Sequence, residues 1–142
     1  MKIALASDHA GYELKIKLIQ HLLTEGHELT DLGCHSPDPV DYPHFGHKIA
    51  KHISEDKADV GISLCGSGNG INMTANKHPM IRSALCWNTQ IAALARSHND
   101  ANICALPARF LTVEQVIQIV ETFLTTSFDG GRHKQRIDKI PI

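Results

Sequence analysis

The chain has 142 residues, 42% of them apolar, enough to bury one good core but too few for two domains of ordinary size. Fourteen Lys and Arg against fifteen Asp and Glu leave a formal charge of -1, which excludes a global field for nucleic acid or an anionic membrane and makes any anion site local. The first residues, a single Lys, a short apolar stretch and then Ser7-Asp8-His9, form neither a signal-peptide core nor a spanning helix, so a cytoplasmic protein is expected. Cys34, Cys65, Cys86 and Cys104 show no paired Cys-x-x-Cys spacing, and reduced thiols are expected rather than disulfides, a zinc ribbon or a thioredoxin-like site.

Short β-type runs alternate with longer helical patterns along the chain. Lys2 to Ser7 reads as a strand, and Leu14, Leu18 and Leu22 with Ile19 and Leu23 recur at helical spacing through Tyr12 to Glu25. Gly26 closes that helix as a C-cap, and Glu28 to Leu32 is a second strand. After the Pro37-Asp38-Pro39 loop, Phe45, Ile49 and Ile53 mark a second helix. Val60 to Leu64 predicts a strand buried on both faces, with Cys65 at its C-terminal end. Ile71 to Lys77 is a short helix, Ile81 to Cys86 a strand, Thr89 to Ala95 a helix and Ala101 to Leu106 a strand. Cys86 and Cys104 sit in apolar runs as small core hydrophobes. Thr112 and Gln115 resemble a capping box that opens a helix through about Leu124.

About five strands and five helices in alternation predict an α/β fold, a three-layer α/β/α sandwich, Rossmann-like with a five-stranded parallel sheet. Ligands of such sheets collect outside the carboxyl ends of the strands. Ser7-Asp8-His9, Cys65-Gly66-Ser67 and the segment after Leu106 all fall at such ends. Residues 1–142 read as one domain, and the polar, basic segment 130–142 is expected to contribute to a site or an interface.

Leu64-Cys65-Gly66-Ser67-Gly68-Asn69-Gly70-Ile71 is a strand end, three alternating glycines and a helix start. Glycines let backbone N–H groups approach a ligand, and a helix start adds positive dipole, so the loop suits an anion. The same donors are expected to lower the pKa of the Cys65 thiol and raise its thiolate fraction as base or nucleophile. The other reading is a buried cysteine beside a tight turn. A cysteine phosphatase loop would need Arg where Ile71 stands, and the Walker and dinucleotide glycine spacings are not met.

Other polar groups are ambiguous by themselves. Asp8 could fix the tautomer of His9 or simply cap the first helix. His98 follows a helix, where it serves as an acid or base or as a favourable C-terminal cation. Arg132 and Arg136 are four apart, so a helix puts both guanidinium groups on one face, spaced to embrace a phosphate; a solvated basic tail is the alternative. Arg109 stands alone after Pro107. His44, His47 and His52 complete no recognised metal pattern, and a hydrated helix face accounts for them.

Taken together, Ser7-Asp8-His9-Ala10-Gly11, Asp41-Tyr42-Pro43, Cys65-Gly66-Ser67-Gly68-Asn69-Gly70, Ala75-Asn76-Lys77, His98-Asn99-Asp100-Ala101-Asn102 and the Arg132/Arg136 pair resemble the type B ribose-5-phosphate isomerase family, which includes galactose-6-phosphate isomerase subunits. The resemblance runs nearly end to end. It implies that Cys65 is the base moving a proton between C1 and C2 of a sugar phosphate, with Ser67 assisting, and that His98 helps open the furanose ring. It implies sugar-hydroxyl contacts from Asp8, His9, Tyr42 and Asn99, enediolate contacts from the amides of Gly66, Ser67, Gly68, Asn69 and Gly70, and phosphate contacts from Arg109, Arg132 and Arg136. It further implies a homodimer with shared sites, possibly paired into a tetramer, in which His98 and Asn99 come from the partner chain, and it implies no metal or organic cofactor.

The loop also departs from the family. Ser67 and Asn69 stand where Thr and Ile are common, and Ser-Gly-Asn-Gly is typical of a branch that lacks the cysteine and uses a Glu one residue after the loop, where this chain has Ile71. Cys65 is therefore the only proton shuttle in view. Pro107-Ala108 before Arg109 replaces a glycine-containing turn. Besides pentose phosphate isomerisation, the residues admit a six-carbon sugar phosphate isomerase, a non-catalytic sugar-phosphate binding module and a thiol hydrolase using Cys65 and His98.

Overall fold

Side chains alternate across a strand, and in the central strands that alternation sorts most residues by size, with Ile103 the large residue on the otherwise small-residue face. Ile3 and Leu5, Val60, Ile62 and Leu64, and Cys104 and Leu106 enter one apolar core, while the smaller Ala4, Ala6 and Ala105 enter the other. The computed structural model, which describes residues 1–142, places these residues in a five-stranded sheet. Its elements are β1 (Lys2–Ser7), α1 (Tyr12–Thr24), β2 (Glu28–Asp31), α2 (Tyr42–Ser54), β3 (Val60–Cys65), α3 (Asn69–Ala75), β4 (Ser83–Leu85), α4 (Thr89–Ser97), β5 (Ile103–Pro107), α5 (Val113–Thr125) and α6 (Arg132–Ile137). All pairings are parallel and the strand order is β2-β1-β3-β5-β4.

The large residues pack against α1, α4 and α5 through Leu18, Leu22, Ala92, Ala95, Val116, Ile119 and Phe123. The small ones face α2 and α3 through Phe45, Ile49, Ala50, Ile53, Ile71 and Ala75. Two helical layers on a parallel sheet make the expected three-layer sandwich. The small face brings α2 close: a Cβ at Gly61 would stand 3.0 Å from Ile49 Cδ1. All six residues of β3 are buried, as expected for the central strand, and Cys86 and Cys104 are fully buried in the first core. Thr112 and Gln115 form the capping box of α5. No helix is long and apolar enough to cross a membrane.

Several element boundaries shift from the sequence expectation, each for a local reason. The strand read over Ile81 to Cys86 shortens to Ser83–Leu85 because the N–H of Arg82 goes to the side-chain Oδ1 of Asn102 at 2.8 Å instead of a strand partner. The strand read from Ala101 starts at Ile103 because the N–H of Ala101 closes α4 on the carbonyl of Ala95 at 3.0 Å. The short helix read from Ile71 starts at Asn69, its first helical bond running from Asn72 N–H to Gly68 O. The basic segment holds a sixth helix, α6, whose inward residues His133 and Ile137 are too few to give a periodic signal.

In this strand order the chain leaves β1 toward β2 and leaves β3 toward β4, so the crevice between β1 and β3 is the switch point where ligands bind in such sheets. Asp8 follows β1 and Cys65 ends β3.

Candidate active site

At the switch point Asp8 is 5% exposed, and its Oδ1 accepts from the N–H groups of Ala10 at 2.9 Å and Gly11 at 3.2 Å. It thus caps a 3-10 turn, His9–Gly11, and faces the Cys65 thiol at the same time. The turn lies tightly on β3: a Cβ at Gly11 would stand 2.6 Å from Leu64 Cβ. His9 is held through Nδ1, which accepts from Val40 N–H at 3.2 Å, leaving Nε2 open.

The Cys65 pKa is raised above its ordinary value, the reverse of the sequence expectation. Burial is the largest cause, then the charge of the Asp8 carboxylate and the hydrogen bond the thiol makes to it; the amides of Ile71 and Gly68 pull the other way and lose. The loop donors are present as expected, but the neighbouring carboxylate, which the sequence does not place there, outweighs them.

Close contacts explain the loop glycines. Gly68 has φ 76°, and a Cβ there would meet Leu85 Cδ1 at 2.5 Å and the backbone of Leu106 and Pro107 at 3.1 Å. A Cβ at Gly70 would stand 2.5 Å from the Tyr42 ring, so the phenol rests on that glycine, and one at Gly66 would stand 3.2 Å from an Arg109 guanidinium nitrogen. Arg109 N–H also donates to Gly66 O at 3.1 Å. Ser67 Oγ accepts from Asn69 N–H at 3.3 Å, and Ser67 and Asn69 are exposed. Asp8, His9, Tyr42, Cys65 to Gly70 and Arg109 therefore gather at one end of the sheet.

His98, Asn99, Arg132 and Arg136 gather at the other end. His98 follows α4, ahead of β5. Asn102 O accepts from Gly61 N–H at 2.9 Å, level with the start of β3, whereas Cys65 pairs with Pro107. At about 3.3 Å per residue, the length of β3 is roughly 16 Å, so His98 and Cys65 of one chain do not reach a common small molecule. The same holds for Arg132 and Arg136, which the sequence reading had not assigned to either chain.

Sequence reasoning passed over His133. Its ring stacks on His98 with centroids 4.1 Å apart and planes 12° from parallel, and Asp129 N–H donates to Ser97 O at 2.9 Å, tying the approach to α6 onto the end of α4. The His133 pKa is lowered, first by loss of water, then by His98 and Arg132; Asp129 opposes the shift. The only signal in sequence was its place between two arginines in a segment with helical spacing. Nitrogens of His98 and His133 and an Asp129 oxygen lie within 4.8 Å of one another, a donor set that transition metals use. Stacked rings cannot point both in-plane lone pairs at one ion, however, and Arg132 and Arg136 beside His133 favour an anion.

The sequence model of the Ribose/Galactose Isomerase family matches residues 3–140. The chain belongs to that family, and it is an isomerase. It is 45% identical over 140 residues to the ribose-5-phosphate isomerase B of Mycobacterium tuberculosis strain H37Rv, covering 97% of this chain and 86% of that one. Its structure is similar to the ribose 5-phosphate isomerase of Thermotoga maritima, with a TM-score of 0.96, 51% identity, and 98% and 96% of the two chains covered. It is also similar to the ribose-5-phosphate isomerase B of Mycoplasma genitalium, solved with bound ribulose-5-phosphate, with a TM-score of 0.93, 43% identity, and 98% and 93% covered.

Proposed function

We propose that this chain interconverts D-ribose 5-phosphate and D-ribulose 5-phosphate through an enediolate, in sites shared between two copies. The observation that carries the reading is the Cys65 thiol set beside Asp8, next to the glycine loop at the β1/β3 switch point. The ligand of the Mycoplasma genitalium relative supports the choice of sugar.

Cys65 takes the proton from C2 and returns it to C1 while a proton passes from O2 to O1. C1 is reduced as C2 is oxidised, and no external oxidant or cofactor takes part. The thiol must first give up its own proton, and Asp8, whose carboxylate faces it, is the group placed to hold it. Backbone amides of Gly66 to Gly70 face the developing enediolate oxygens, with Ser67 at their edge. Asp8, His9 and Tyr42 contact sugar hydroxyls, and Arg109 approaches the phosphate over Gly66.

Ring opening falls to His98, which lies at the far end of the sheet and therefore comes from the second copy, with Asn99 on the hydroxyls and Arg132 and Arg136 on the phosphate. An isologous pair makes two such composite sites. One domain holds each half of the machinery. Four unpaired cysteines, all buried, suit a reducing cytoplasm.

The test is complementation. Cys65→Ala and His98→Asn are each expected to abolish conversion of ribose 5-phosphate, and co-expressing them with different tags restores about half of the wild-type activity per heterodimer, from one intact composite site. Undiminished activity of Cys65→Ala sinks its role as base, and absence of recovery sinks the shared site. Tight binding of ribose 5-phosphate by the wild type, without exchange of the C2 hydrogen in D2O, would replace the enzyme reading with a binding module. A higher kcat/KM for a six-carbon sugar phosphate would move the substrate assignment.

A further inference from the structure

The turn that carries His98 and Asn99 is locked from behind by three charged side chains that no step of the isomerisation uses. Asp100 sits in the left-handed region with φ 45°, a conformation in which Asp is among the few tolerated non-glycine residues. Its N–H closes α4 on the Arg96 carbonyl at 3.1 Å, a left-handed helix cap. Its carboxylate takes Arg82 Nη2 at 2.9 Å and Arg96 Nη1 at 3.4 Å. Arg82 Nε donates at the same time to the carbonyls of Asn99 at 3.1 Å and Asp100 at 2.9 Å, and Arg96 Nη1 donates to the Ala101 carbonyl.

The clamp is anchored at both ends. Asn102 Oδ1 accepts from Arg82 N–H, and its Nδ2 donates to Met80 O, each at 2.8 Å, while the Arg96 guanidinium lies 5.4 Å over the Phe123 ring. Capping alone would be served by a glycine at residue 100. The two arginines instead converge on the carbonyls and carboxylate of the turn itself, so the backbone from Asn99 to Ala101 is fixed by charge-assisted bonds directly after His98.

The geometry points to Asp100 as a positioning residue that, through Arg82 and Arg96, holds His98 and Asn99 at the angle a neighbouring copy's site requires. The inference rests on the composite-site reading above. Misplacing a catalytic group by a fraction of an ångström costs far more in turnover than in affinity when other contacts hold the phosphate. Asp100 therefore acts in trans, on the site whose Cys65 belongs to the other chain.

Two variants separate positioning from capping. Asp100→Gly keeps the left-handed backbone and removes the carboxylate; Asp100→Asn keeps the shape and removes the charge. Both are expected to lower kcat by roughly tenfold to a hundredfold with KM little changed, at a temperature where circular dichroism shows the variants folded. Co-expression of Asp100→Gly with Cys65→Ala restores activity, because the composite site then joins an intact Cys65 to a His98 turn that keeps its clamp. The His98 imidazole resonances in the free protein shift in both variants, while those of His52 stay in place. Wild-type kinetics in Asp100→Gly with unmoved His98 resonances overturns the inference, and so does a kcat loss that Cys65→Ala fails to restore although it does restore His98→Asn. If the wild type does not isomerise ribose 5-phosphate, the reading of function fails, and the resonances still decide whether the clamp orients His98.

Discussion

His98 and His133 lie ring over ring, 4.1 Å between centroids and 12° from parallel, although thirty-five residues separate them in sequence. The contact joins the end of α4 to α6 and fixes the relative position of the two rings, far from Cys65. His133 titrates below its ordinary value, and Arg132 contributes to that shift while Asp129 opposes it. Removing a positive neighbour stabilises the imidazolium, so Arg132→Gln is expected to raise the His133 midpoint. Asp129→Asn removes a negative neighbour and is expected to lower it. Histidine NMR titration of the free protein reads both directions, and either reversed sign contradicts this account of the cluster.

Cys65 titrates above its ordinary value because it is buried and faces the Asp8 carboxylate. Alkylation by iodoacetamide follows the thiolate, so its rate at Cys65 is expected to climb through the alkaline range without a plateau near neutrality. Asp8→Asn takes away the negative charge that disfavours the thiolate, and the profile moves to lower pH. Peptide mass spectrometry separates Cys65 from the other buried cysteines. An unmoved profile would mean that the carboxylate does not bear on the thiol.

Gly68 and Gly26 share a positive φ, 76° and 81°, in different surroundings. Gly68→Ala meets both backbone strain and the atoms of Leu85, Leu106 and Pro107, and is expected to cost about 1–3 kcal/mol and most of the activity. A Cβ at Gly26 meets nothing within 4 Å, so Gly26→Ala carries the conformational cost alone, about 1 kcal/mol, with activity kept. Denaturant midpoints and kcat/KM for the pair check the contrast.

Lys15 is 0% exposed, pairs with Asp31, and donates to Cys34 O at 2.8 Å. Lys15→Met leaves Asp31 facing an apolar side chain, and chemical denaturation is expected to show a loss of about 3 kcal/mol, near the low end for breaking a buried pair because Asp31 keeps some water. Replacing Asp31 by Asn in the same background is expected to recover part of that loss, since the stranded charge is then gone.

The parallel fold was legible because periodicity, caps and glycines agreed with one another along most of the chain. The boundaries that moved did so where a side chain took the place of a backbone partner, as Asn102 does for Arg82, and no pattern of residue types foretells that. The Cys65 loop could be found by its glycines, but the upward shift of the thiol's pKa comes first from its burial and then from Asp8, fifty-seven residues earlier and brought alongside only by the pairing of β1 with β3. Nothing in the sequence singles out Lys15, and its burial becomes visible only when Asp31, at the end of β2, and Cys34 after it come alongside. The stacking of His133 on His98 was hidden for the same reason.

The segregation of large and small residues on the two faces of the sheet reaches the pocket as well as the core. Helix α2 rests on β1 and β3, against Ala4, Ala6 and Gly61, and its first residue, Tyr42, is the wall that leans on Gly70. The depth at which this helix seats itself therefore sets the spacing between that wall and the loop. The width of the cleft is written in methyl groups of the interior, so enlarging one of them would reshape ligand selectivity from a position the ligand never touches.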